Sequence, residues 1–292
     1  MGQTCALLGS ADPRLNAFGA IDLRLSRQVR SYRRVDAPPT RVKPIPITLL
    51  QYAAENTRTE SNPSPLILAC ADMMIIGFYF LMRSGEYAVA NAESHPFRLA
   101  DIELYVGAHR LDINTAPLAV LRTATFVILC FTTQKNAVRG EKIGHGRSGI
   151  PFFCPVAALV RRIVHLRTHG ASTITPVNTV YTITRGVAHA SALTTRAMTA
   201  YLRRFVAIRG DHYGLRPGDI EARSLRSSGA MALLCAQIDT DLIQLVGRWR
   251  SDSMLRYLHV QAAPIMSPLA SAMTQGGDFT FHPLDPQPPA LN

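Results

Sequence analysis

The stretch "LILACADMMIIGFYFLM", residues 66–82, limits what this chain can fold into more than any other. It falls short of the roughly 20 apolar residues that a membrane-spanning helix needs. It also carries Asp72 at its middle, and a carboxylate there is costly in lipid. The run is therefore read as a helix with no polar face, which has to lie inside a protein core. Ser64 is placed to cap it, with Pro65 at its first position. "LMRSGEY" marks its far end. With 292 residues, 47% of them hydrophobic and 17% charged, the chain has the balance of an ordinary globular protein.

The elements around this helix are mostly helical. Residues 101–135 turn to β character with "DIELYV" and "TATFVILCFTTQK", and "NAVRGEKIGHGRSG" then reads as a polar turn with a return strand. "CPVAALVRRIVHLRTHG" is an amphipathic helix closed by glycine. Helices are expected over residues 190–209 and 222–236, and "LIQLVGRW" starts another. There are no internal repeats. The fold class is mainly α with a small central antiparallel β-sheet. "DAPPTRVKPIPIT", residues 36–48, cannot be helical and reads as an extended linker, so a boundary is placed near residue 45. The part after Pro264 is rich in proline and glycine and weakly patterned.

Net charge is +11, and arginine outnumbers lysine heavily. Such an excess suits a polyanion, and the planar guanidinium fork grips phosphate at two oxygens. Before the linker, Arg24, Arg27, Arg30, Arg33 and Arg34 would form one basic stripe on a helix, and Arg41 and Lys43 continue the charge into the linker. The seven are read as DNA-contacting residues. The five cysteines form no CxxC pair and read as reduced core thiols of an intracellular protein. The N-terminus shows no secretory signal. His165 and His169 have helical i,i+4 spacing but no evident third ligand, so no metal is assigned.

Four short stretches carry the chemistry. They are "LMRSGEY", "FTTQKN", "ARSLRSSGAMAL" and "LIQLVGRWRSDSMLRYL". In this order and at these separations they resemble the tyrosine recombinase, or phage-integrase-like, family, nearest to the recombinases of eukaryotic mobile elements of the DIRS and Crypton kind. The resemblance covers roughly residues 45–262. It implies a remnant of a DNA-binding segment and linker at 1–45, a catalytic domain at 46–262, and a flexible tail at 263–292. It also implies that Arg83 and Arg226 bind the scissile phosphate, that Glu86 supports the site, that Lys135 is the general acid, and that Tyr257 is the nucleophile. Trp249 would donate its indole N–H to phosphate.

Two positions depart from the family pattern. Arg223 and Arg248 stand where histidine is usual, and a guanidinium stays charged and accepts no proton. Arg223 could still donate to phosphate, and Arg248 is placed in support. The implied activity is DNA strand exchange through a covalent 3′-phosphotyrosyl intermediate, without metal, ATP or other cofactor. The implied partner is double-stranded DNA bound by a homo-tetramer, with no membrane and a nuclear location. The alternative is a mobile-element relic that binds DNA without cutting it. A helix-turn-helix regulator would match the cadence of "GAMALLCAQIDTDLIQLVGRW" but would leave the arginines unexplained.

Overall fold

The computed structural model describes residues 12, 14, 15, 19–23, 25–28, 42–132 and 140–249. The chain divides into two units, 1–41 and 42–292. In the first, residues 25–28 are helical and Arg27 is exposed. Arg24, Arg30, Arg33, Arg34 and Arg41 lie outside the described residues, as do the linker up to residue 41 and the tail from 263 onward.

The second unit is built around the apolar helix. Helix α1 spans Ile47–Thr59 and α2 spans Pro65–Tyr79. The Ser64 hydroxyl accepts from Ile67 N–H at the start of α2, and Pro65 takes the first turn, where a missing N–H costs nothing. Every residue from Ala69 to Phe78 is buried, Asp72 included. The Asp72 carboxylate is held there by the guanidiniums of Arg58 and Arg161. Without them, burying that charge would cost several kcal/mol.

After α2 come a short helix α3 (Ser84–Tyr87), strands β1 (Ile102–Val106) and β2 (His109–Leu111), and a one-turn helix α4 (Leu118–Leu121). Strands β3 (Phe126–Phe131) and β4 (Glu141–Gly146) complete an antiparallel sheet ordered β2-β1-β3-β4. Ile102 and Leu104 of β1 face Leu129 and Val127 of β3, which in turn face Ile143 and His145 of β4. This is the inner, apolar face. The outer face carries Glu103, which accepts from Tyr105 and Lys142.

Helix α5 (Pro155–Thr168) follows, then a hairpin of β5 (Thr179–Thr184) and β6 (Val187–Ala192), and helices α6 (Thr195–Arg209), α7 (Ser224–Cys235) and α8 (Thr240–Gly247). Helix α2 packs against α1, α5, α6 and α7, so it is the hub of the core. The second sheet was not expected. Residues 190–192 belong to β6, and α6 starts only at Thr195, where the Thr194 side chain accepts from Ala197 N–H.

Among the described residues, no helix is long and apolar enough to cross a membrane. Cys70 and Cys154 are buried, but Cys235, at the end of α7, is exposed and is not the core thiol expected.

Candidate active site

Three of the four sequence stretches meet where α2, α7 and α8 end or begin. The first is the turn after α2. Leu81 takes a left-handed backbone, φ 45°, which swings the chain into an extended residue at Arg83 before α3 begins. In the turn, Glu86 reaches back. Its Oε2 accepts from the Arg83 backbone N–H at 2.8 Å and its Oε1 from Arg83 Nη1 at 2.9 Å. The same carboxylate accepts from Arg248 Nη2 at 2.8 Å. One acid thus ties two arginines that lie 165 positions apart in the chain.

Arg248 sits deep, with its side chain 1% exposed. Burial pulls its pKa down to about 10, against the opposing pull of Glu86, so it remains a cation at neutral pH. Its guanidinium lies 3.5 Å from the centroid of the Phe131 ring, at the end of β3. Its backbone is left-handed, φ 58°, and closes α8 as a C-cap. Arg248 is therefore part of the interior, tied to the turn that presents Arg83.

The second centre is Arg226, in the first turn of α7 and 3% exposed. Its Nη2 donates to Gly247 O, and its guanidinium lies 4.3 Å from the Trp249 ring centroid. Trp249 packs in a small apolar cluster with Leu81, Ala230 and Ile243. The approach is close enough to fix two glycines. A Cβ on Gly247 would stand 1.7 Å from the Trp249 ring, and one on Gly229 would stand 2.3 Å from Phe78 O. The run of small residues in α7 lets that helix lie against α2 and bring Arg226 to the end of α8.

Arg83, Glu86, Arg226, Arg248 and Trp249 are thus joined by contacts that share Leu81, Gly247 and Glu86. Arg83 and Arg248 meet the Glu86 carboxylate, and Arg226 lies against Gly247 O and the Trp249 ring, a cationic grouping suited to an oxyanion. Arg83, 27% exposed, is the most open of the three. Arg223 is not drawn in. It is exposed and pairs with Glu221 at 2.8 Å. Lys43 pairs with Asp219 at 2.9 Å and also donates to Gly214 O. Lys135 and Tyr257 lie outside the described residues. Phe131 and Gly140, which bracket the Lys135 segment, are joined by a 2.9 Å backbone hydrogen bond.

Two contributors were missed in the sequence. Phe131 carries the stacked Arg248. His145 lies in the return strand β4, where its Nε2 donates to Tyr79 O at 2.9 Å and its ring meets the Phe80 ring at a right angle. Burial lowers its pKa, so it is a neutral brace on the last turn of α2. The alternation of Glu141, Ile143 and His145 on one strand face was the available signal. His165 and His169 have other partners. His165 Nε2 accepts from Tyr181 N–H, and His169 stacks on the Tyr181 ring.

No protein-family model matches the chain, and no curated protein matches it. Solved structures do. The XerH site-specific recombinase bound to difH substrate, in a pre-cleavage complex, is 15% identical over 82% of this chain and 55% of its own, with a TM-score of 0.46. Its post-cleavage complex on a palindromic substrate gives 15%, 80%, 53% and 0.47. The Tn1549 transposon integrase in complex with transposon right-end DNA is 12% identical over 83% of this chain and 68% of its own, with a TM-score of 0.43. The chain spans about half the length of the XerH chains it matches.

Proposed function

We propose that this chain is a DNA recombinase or integrase of the tyrosine-nucleophile kind, acting on double-stranded DNA through a covalent 3′-phosphotyrosyl intermediate. The observation that carries this reading is the meeting of Arg83, Glu86 and Arg248 with Arg226 and Trp249, from three distant stretches that resemble the family's boxes in order. Arg83 and Arg226 hold the non-bridging oxygens of the phosphate. Tyr257 Oη attacks phosphorus and the bond to the 5′ oxygen breaks. Lys135 gives that oxygen its proton, while the phenolic proton passes to solvent. The phosphotyrosyl bond keeps the energy of the broken ester, and the 5′-hydroxyl of a partner strand reverses the step. A homo-tetramer on two duplexes, a nuclear location and an origin in a DIRS- or Crypton-like mobile element belong to the same proposal.

A second reading has its own support. The two positions where the resemblance places histidine hold guanidiniums already paired with acids, Arg223 with Glu221 and Arg248 with Glu86. Neither accepts a proton, which favours a chain that grips DNA and no longer cuts it. One experiment separates the two. The protein is incubated with a pool of nicked suicide duplexes of randomised sequence and resolved under denaturing conditions. A covalent adduct that Tyr257→Phe abolishes supports the recombinase. Retarded DNA with no adduct supports the binding protein. An adduct that survives Tyr257→Phe removes Tyr257 as the nucleophile.

A further inference from the structure

A second cationic site lies at the other end of α2. A cleft of about 440 Å³ opens between α2 and α5, a volume within the range of small-molecule pockets. Arg58, Arg122, Arg147, Arg161 and Arg162 line it against one carboxylate, Asp72. The five come from four separate parts of the chain: the end of α1, the turn after α4, the segment after β4, and α5. Leu68, Val160 and Val164 give the cleft an apolar wall. His165 also lines it. Burial is the main cause that pulls this imidazole down to about 4, so it adds no charge at neutral pH.

Asp72 does not satisfy the cations around it. Its Oδ1 takes one nitrogen from Arg58 and one from Arg161. Arg58 Nε and Arg161 Nη2 are then shielded from water without a hydrogen-bond partner among the described residues. Leaving a buried charged donor unmatched is costly, and such donors are normally satisfied by protein, water or ligand. The rim differs. Arg147 donates to Ala124 O and Arg122 O, which fixes its fork at the mouth, while Arg122 is exposed.

We propose that this cleft binds a small phosphomonoester whose phosphate meets Arg58, Arg161 and Arg122 and whose body lies on the Leu68, Val160 and Val164 wall. A compact dianion matches the surplus of guanidinium over carboxylate, and its tetrahedral oxygens accept from donors arriving from several directions. A duplex backbone offers one charge per phosphate, whereas a phosphomonoester brings nearly two to the same guanidiniums. The site is separate from Arg83 and Arg226 and does not depend on the proposed recombinase chemistry.

The test is calorimetric titration of the full chain with adenosine monophosphate, inorganic phosphate and adenosine. The nucleotide binds with one-to-one stoichiometry, inorganic phosphate binds at least threefold more weakly, and adenosine gives no detectable heat. Arg161→Met weakens nucleotide binding tenfold or more, and Arg83→Gln leaves it unchanged. Should Arg161→Met fail to fold, the exposed Arg122→Gln decides, with a threefold loss expected. The proposal is overturned if the nucleotide does not bind the folded wild-type chain. It is equally overturned if every cleft variant that folds binds as wild type, if inorganic phosphate binds as tightly as the nucleotide, or if Arg83→Gln alone abolishes binding.

Discussion

Replacing Glu86 with glutamine tests the tie that joins Arg83 to Arg248. The carboxylate accepts from Arg83 N–H, Arg83 Nη1 and Arg248 Nη2 at 2.8–2.9 Å. Glutamine keeps the shape and one oxygen but turns an NH2 toward cationic donors. Arg248, 1% exposed, then becomes a buried cation without its ion-pair partner. Breaking a buried pair from one side costs about 3–5 kcal/mol. The retained oxygen puts the expected loss near the lower end, about 3 kcal/mol. At roughly 2–4 °C per kcal/mol for a unit of this size, Tm falls by about 6–12 °C. Circular-dichroism melts of wild type and Glu86→Gln at neutral pH measure it. Salt screens a buried pair little, so the drop should persist at about 1 M NaCl, where the Debye length is near 3 Å. Removing both charges in Glu86→Gln/Arg248→Met should restore part of the loss, because the stranded cation is gone. A Tm change below about 2 °C, a change that vanishes in salt, or a double variant less stable than the single would refute the reasoning.

Other outcomes follow from the same contacts. Gly247→Ala drives a methyl into the Trp249 ring and should cost about 1–3 kcal/mol in a urea melt; it should also shift the Trp249 emission spectrum, readable without background because this is the chain's sole tryptophan. Gly229→Ala meets a backbone carbonyl of α2 and should destabilise by a similar amount, with α7 losing amide protection first in hydrogen exchange. His165 has its pKa lowered to about 4, so the unfolded chain takes up its proton first as pH falls. Its contribution is therefore present above about pH 6.5 and is lost as pH falls toward 4. After allowance for partial exposure this amounts to at most about 2 kcal/mol. His165→Gln, which still accepts from Tyr181 N–H, should flatten that part of the urea-midpoint profile.

What could be read from residues alone divides along a physical line. Helix α2 was legible because its signals are local: an apolar run, a serine cap and a proline in the first turn. Strands β1 and β3 of the first sheet were legible because one face of each is buried, whereas β2, with no buried residue, was not. The β5–β6 hairpin was not. Every residue of β6 is exposed, so nothing forces the alternation that marks a half-buried strand, and "VAHASA" reads as well for a helix start. The site divides likewise. Arg83 and Glu86 sit three residues apart and announce each other. Arg248 does not, because its acid lies 162 positions away and its stacking partner Phe131 lies in another element. A lone arginine beside tryptophan gives no sign that it is an internal strut. That role nevertheless follows from the hub helix. Gly229 needs the Phe78 carbonyl close by, and the Gly77 face of α2 takes Leu225, the neighbour of Arg226. The left-handed turn at Leu81 sets Arg83 beyond the helix end and gives Trp249 its apolar floor. The helix that had to be buried is thus also the support from which all three guanidiniums are held. A core substitution such as Gly77→Leu should therefore disturb the site as surely as one in the arginines themselves.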